Sequence, residues 1–189
     1  MPFGYCALRE LVSSSTIRFH MPIKPATIAS LVETELAGLN DARVRAHIQS
    51  LLVPPTPILR DWDYGTPGEA YPCWAVLNHV ASNSGIAYCE YGFGPRSPWG
   101  LVKLSGTSHM SIGMDSGWFV SFLEAYFDSF AATELPIWRV FQQENDCYPG
   151  LALTGESDWD STWKEVKRLR KLHPAIRYHC AHSIQIHRE

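Results

Sequence analysis

Residues 71–104 read YPCWAVLNHVASNSGIAYCEYGFGPRSPWGLVKL, and this stretch decides the fold. Tyr71 to Val80 and Gly85 to Tyr91 are rich in β-formers, and the small polar pair Asn83-Ser84 before Gly85 is a hairpin turn signal. Trp99 to Leu104 reads as a third strand. It is reached through Gly92 to Pro98, a run too rich in glycine and proline to be strand throughout. The expectation is an antiparallel meander in the middle of the chain.

Toward the amino terminus, Thr16 to Met21 alternates like a short strand, stopped by Pro22 and Pro25. From Thr27, the residues Ile28, Leu31, Val32, Leu36 and Leu39 recur at helical spacing. Asn40 or Asp41 can cap a second helix carrying Val44, Ile48, Leu51 and Leu52. Pro54, Pro55 and Pro57 then predict an extended connector over Val53 to Leu59, outside any sheet ladder. Asp61 to Gly68 reads as an ordered surface loop.

Toward the carboxy terminus, Asp115 or Ser116 is placed to cap a helix whose Trp118, Phe119, Phe122, Leu123, Tyr126, Phe127 and Phe130 form one apolar stripe. A strand over Pro136 to Phe141 follows, with Ile137 and Val140 inward, and then a turn-rich region from Asn145 to Gly155. A last helix starts near Asp158 or Ser161 and stops before Pro174, and Ile176 to Ile186 alternates as a final strand. Strands gathered in the middle with helices before and after predict an α+β fold: one domain over residues 1–189, an antiparallel sheet packed against helices from both ends.

Composition bounds what such a domain can do. Of 189 residues, 46% are apolar and 19% charged, which is enough to bury a core. The net charge of −3 gives no basic excess to displace counterions from a phosphate backbone, so nucleic acid is disfavoured and a basic partner fits better. No apolar run approaches the roughly 20 residues that span a bilayer, and the first twenty residues lack the pattern of a secretory signal, so a cytoplasmic protein without membrane attachment is expected. Cys6, Cys73, Cys89, Cys147 and Cys180 are odd in number and form no CxxC pair, which predicts reduced, mostly buried thiols.

Motif chemistry is sparse. Gly92-Phe93-Gly94 lacks the third glycine of a dinucleotide loop, no GxxxxGK[ST] or GxSxG occurs, and no cofactor is implied. Asp61 and Asp63 are too few oxygens for a hard cation. His179 and His182 should point to opposite faces of a strand, and with His173, Cys180 and His187 they make no closed zinc site, so no metal is expected. Glu90, inside an apolar strand, would need a partner if it faced the core. Arg96 is the available one, and a structural ion pair between Glu90 and Arg96 is the leading expectation. The competing expectation is a hydrolase-like enzyme in which Glu90 meets His79 or His109, with Cys89 nearby. A scaffold subunit, marked by a large apolar patch, is a third. Trp62, Tyr64, Phe93 and Trp99 sit among Gly, Pro and Asp residues in connectors, where exposed rigid aromatics beside acids suit a protein interface.

The runs Gly85-Ile-Ala-Tyr-Cys-Glu-Tyr-Gly-Phe-Gly-Pro95 and Pro98-Trp-Gly-Leu-Val102 resemble uncharacterised bacterial immunity-type proteins that accompany polymorphic toxins. The resemblance covers about Tyr71 to Phe130. The order of elements, two helices, a β-meander and a helix near a Phe-rich stretch, is loosely similar to the SMI1/KNR4 superfamily. What the resemblance implies is a non-enzymatic protein that binds a cognate toxin domain, expected to be basic, and occludes it. The expected contact residues are Asp61, Trp62, Asp63, Tyr64, Phe93, Arg96 and Trp99.

Overall fold

The computed structural model describes residues 23–60, 71–90, 96–105, 117–144 and 147–186. The expected strand at Thr16 to Met21 and the loop Asp61 to Gly68 lie outside them. Helix α1 (Pro25–Ala37) begins on a proline, tolerated there because the first helical amides have no intrahelical acceptor, and it buries Ile28, Val32 and Leu36. Helix α2 (Ala42–Leu51) is capped as its sequence predicts. The Asp41 carboxylate accepts from the backbone N–H groups of Arg43 and Val44 at 2.9 and 3.2 Å, and Val44 and Ile48 are buried.

A five-stranded antiparallel sheet follows in chain order: β1 (Leu52–Arg60), β2 (Tyr71–His79), β3 (Ser84–Tyr88), β4 (Trp99–Lys103) and β5 (Trp118–Phe119). The turn between β2 and β3 ends on Asn83 at φ 52°, a left-handed conformation that asparagine tolerates. Two expectations need correction. Val53 to Leu59 is not a connector but most of β1. Its pairing with β2 breaks between Leu52 and Thr56, the interval that holds Pro54 and Pro55, and then resumes from Thr56–Ala75 to Arg60–Tyr71. β1 is an edge strand, where a proline facing away from its neighbour costs no ladder bond.

The second correction concerns Trp118 to Phe130, which is not one helix. Trp118 and Phe119 pair with Gly100 and Trp99 as β5, and α3 (Phe122–Phe127) starts at its own cap, Ser121, whose hydroxyl accepts from Glu124 N–H at 3.1 Å. A 3-10 turn over Phe130–Glu134 then completes the segment. Gly100 is what admits β5: a Cβ at this position would lie 2.7 Å from the Trp118 ring, so only glycine lets the indole lie across β4.

A smaller sheet has the order β7-β6-β8, formed by β6 (Trp138–Glu144), β7 (Cys147–Ala152) and β8 (Tyr178–His182), with α4 (Trp159–Leu172) between β7 and β8 in sequence. The region expected to be turn-rich, Asn145 to Gly155, therefore contains β7. Gly150 allows its return at φ 88°, where a Cβ would meet the Gln142 carbonyl oxygen at 2.1 Å. Ile137 and Val140 are fully buried, as their spacing predicts.

The architecture is thus α+β, with an antiparallel meander in the middle of the chain. One face of the meander, with Ile86, Trp99 and Leu101, joins a core to which α1, α2 and α3 contribute. The other face carries a small cluster of Cys73, Ala87, Cys89 and Val102 under Ile58 and Trp118. Among the described residues no helix is long and apolar enough to cross a membrane.

Candidate functional site

α3 is too short to be stable by itself, and its position depends on a residue far away in sequence. The Glu35 carboxylate, on α1, accepts from the backbone N–H groups of Phe122 and Leu123 at 3.0 and 2.9 Å, so α1 satisfies donors that the first turn of α3 cannot pair internally. Glu35→Ala is expected to lower stability by about 2–3 kcal/mol, because two amides lose charge-assisted bonds in a partly buried place. Glu35→Gln should recover part of that loss. Urea denaturation of the three proteins measures it, and equal midpoints would show that α3 does not need the cap.

Held in this way, α3 forms one wall of an open cleft of about 960 Å³. Glu124, Phe127 and Asp128 line this wall, and Phe130 and Thr133 continue it along the 3-10 turn. Trp138 is the deep, 4% exposed part of the lining, and its indole N–H is already donated to the Ala132 carbonyl at 3.1 Å. The opposite side comes from Trp159 and Asp160 at the start of α4 and from Cys180 and His182 on β8. The aromatic groups brace one another: His182 stacks on Phe127 with centroids 3.8 Å apart, and Trp159 meets Trp138 edge-on at 4.6 Å.

The cleft's electrostatics follow from this enclosure. Desolvation drives the His182 pKa down to about 4, so the imidazole is neutral at pH 7 and a weak base. Burial pushes the Cys180 thiol up to about 12, which leaves it protonated and a poor nucleophile. Desolvation also raises the Asp128 carboxyl above its ordinary value, and no cation is paired with it among the described residues. Glu124, Asp128 and Asp160 all line the cleft, Asp128 and Asp160 being exposed to solvent, and no described lining residue is Lys or Arg. Such a site can hold a ligand through aromatic faces and negative charge.

A second polar cluster ties the helices to the meander. Glu134 takes His79 Nε2 on one carboxylate oxygen at 2.8 Å and His47 Nε2 on the other at 3.4 Å. These contacts, His79 first, hold the Glu134 carboxyl below its usual range. Because a carboxylate only accepts, both Nε2 atoms donate. In the neutral rings Nδ1 then accepts, from the Tyr126 hydroxyl at His47 and from the Ser82 hydroxyl at His79, both at 2.7 Å. The residue types Ser82, His79 and Glu134 are those of nucleophilic catalysis. Here, however, Ser82 Oγ is engaged within its own turn by the His79 ring and by Ser84 Oγ at 2.5 Å, and His79 is 6% exposed. The cluster is a structural tie joining α2, β2 and the 3-10 turn.

The residues expected to matter fall in different places. Asp61, Trp62, Asp63, Tyr64, Phe93 and His109 lie outside the described residues. Glu90 and Arg96 are both exposed, and among the described residues no ion pair joins them; β3 stops at Tyr88, and Glu90 reaches solvent instead of the core. Trp99 is 2% exposed, edge-on to Tyr88 and Phe122 at centroid distances of 5.1 and 5.5 Å, so it is a core residue and not a loop aromatic. Cys89 is buried and donates to the Pro72 carbonyl at 3.4 Å. Its thiol lies against Cys73, which that contact and burial push far above the ordinary thiol range. Cys180 is a free thiol. Among the described residues no group of three His, Cys, Asp or Glu could hold a metal ion.

The cleft was missed by reading motifs, yet one signal was available: Glu124 and Asp128 stand four residues apart beside Phe127, on one side of a helical turn. Comparison of the chain with protein-family models, with curated proteins and with solved structures finds no match.

Proposed function

We propose that this chain is a non-enzymatic binding protein that captures a basic protein partner, and that the partner is a bacterial toxin domain which it neutralises by occlusion. The observation that carries the binding reading is the cleft, with aromatic walls, three lining carboxylates, no described Lys or Arg, and a neutral histidine and thiol. Capture of a positive group needs such a surface. Catalysis needs a base or nucleophile poised near neutral pH, and His182 and Cys180 are not poised there. An enzyme built on Glu90 draws no support from its exposed position, because His79 is occupied by Glu134. The toxin assignment rests on the resemblance of the Gly85 to Val102 run to immunity-type proteins.

The test is co-expression with the carboxy-terminal domain of a secreted protein encoded immediately upstream. A one-to-one complex, with growth restored in proportion to the amount of this chain, supports the reading. Protection by far less than one equivalent, or the absence of such a neighbouring reading frame, overturns it. Asp61, Trp62, Asp63 and Tyr64, with Phe93 and Arg96, are proposed to extend the contact surface. Exchanging Asp61 and Asp63 together for Lys should slow association about tenfold at low salt, and by less at 0.5 M salt, because complementary charge acts mainly on the encounter rate. Stopped-flow mixing measures this, and an unchanged rate removes these acids from the interface.

A further inference from the structure

We propose that the solvent face of α4 is a docking surface for the sugar-phosphate backbone of a double-stranded nucleic acid, held by charge and without reading sequence. This goes beyond the toxin reading and is independent of the cleft. The net charge of −3 disfavours such a partner only if charge is spread evenly, and it is not. Residues 164–177 hold six of the sixteen Lys and Arg and one of the nineteen Asp and Glu, a local charge of +5 against −8 for the rest of the chain. α4 turns this composition into a surface. Its inner face buries Thr162 and Val166, the latter packed with Val140 of β6 and Tyr178 of β8. At about 3.6 residues per turn Lys164, Lys167 and Lys171 fall on the side opposite Val166, and all three are exposed, as is Arg177 beyond the helix end. Among the described residues none of these four cations is in an ion pair. Arg168 is tied to Glu165 at 2.6 Å, and Arg170 is spent on the Trp163 ring and the Tyr178 carbonyl, so neither is counted. The helix dipole favours cations in the last turn, which accounts for Lys171 but not for Lys164 or Lys167. From Lys164 to Lys171 is about 10 Å at 1.5 Å per residue, a length over which one strand of a duplex presents about three phosphates.

Other polyanions fit less well. A helix that lies on a membrane sinks an apolar face among the lipids, and the apolar face of α4 is buried against its own sheet. A single strand is held by stacking its bases on aromatic rings. Trp163 already stacks with Trp159 at 6.1 Å and carries Arg170 over its ring at 5.1 Å. An acidic protein is met by interfaces that are depleted in Lys and anchored by aromatic side chains, whereas three of the four unpaired cations here are Lys and the rings of α4 are packed.

The experiment is fluorescence anisotropy of the full chain with a labelled duplex of arbitrary sequence, about two helical turns long. Four phosphate contacts predict a Kd of roughly 20 μM at 50 mM salt, a slope of log affinity against log salt of about −3.6, and a loss of about a hundredfold by 200 mM. Exchanging Lys164, Lys167 and Lys171 together for Gln, whose helix propensity is similar, should weaken binding at least about tenfold and bring the slope to about −1. The same three positions changed to Arg should bind within about twofold of the parent, because the charge is kept. Arg177→Gln lies outside the helix and should by itself reduce the slope by about one, a readout that does not depend on the stability of α4. Lys103→Gln, on the five-stranded sheet, should change nothing. No binding at 50 mM salt, an affinity indifferent to salt, or parental binding by the triple Gln variant overturns the proposal. Tighter binding, at equal phosphate concentration, of a single strand or of vesicles carrying one-third anionic lipid overturns it as well.

Discussion

Replacing Trp99 with alanine is expected to lower the unfolding free energy by about 3–5 kcal/mol, one of the largest effects of any single truncation in this chain. The indole is 2% exposed on β4, wedged edge-on between Tyr88 of β3 and Phe122 at the start of α3. Its removal leaves a void at the junction of sheet and helix, where backbone on both sides resists collapse. For a chain of this size the loss corresponds to a fall of roughly 10 °C in melting temperature. Trp99→Phe should retain about half of the stability at stake. Urea denaturation with a fixed slope provides the measurement. An interface tryptophan would behave in the opposite way, with stability within about 0.5 kcal/mol of the parent and the loss confined to partner affinity. That outcome would contradict the burial of Trp99.

Acidification should destabilise the fold through His182. Its pKa is about 4 in the folded chain and near the ordinary 6.5 when unfolded, so between these values the unfolded chain binds more protons. Stability is therefore complete above about pH 6.5, falls as the pH drops, and is fully lost from this source below about pH 4. The gap of about 2.5 pH units sets an upper bound of about 3 kcal/mol, reduced because the ring is not wholly sealed from solvent. His179, lowered chiefly by desolvation, acts in the same direction. Asp128 opposes them, since a carboxyl raised in the folded state favours folding as it becomes protonated. Glu134 contributes only at lower pH, because its depressed carboxyl keeps its benefit until the pH falls below the ordinary 4.5. His182→Phe preserves an aromatic stack on Phe127 and should flatten the curve between pH 6.5 and 4.5. Chemical denaturation at several pH values tests this, and parallel losses in parent and variant would exclude His182 as the source.

What could be read beforehand followed the strength of local signals. α1, α2 and α4 carry helical periodicity with caps at Asp41 and Asp158, and β2, β3 and β4 carry β-rich runs punctuated by Asn83 and the Gly92 to Pro98 stretch. β1 was hidden because three prolines look like a breaker until it is known that the strand lies at an edge. The Trp118 to Phe130 run was hidden because continuous apolar character suits strand and helix alike; pairing with β4 and the cap at Ser121 divide it. The site was less legible still. His47, His79 and Glu134 meet from three separate elements, and Asp128 and His182 line one cleft from positions far apart in the chain. No spacing rule reports such meetings, since tertiary packing alone creates them.

The bond from Glu35 to the start of α3 also sets a schedule for synthesis. Its partners lie 87 residues downstream, so at ribosomal speeds of about 5–20 residues per second the amino-terminal helices wait roughly 4–17 s before the segment they organise exists. Through that interval the core that α1 and α2 share with the meander lacks the residues α3 contributes, and the pause is the period in which the nascent chain most needs protection from association with its neighbours. A variant that lengthened the wait, by slow codons between the meander and α3, would be expected to yield more aggregated protein with no change in the stability of the molecules that do fold.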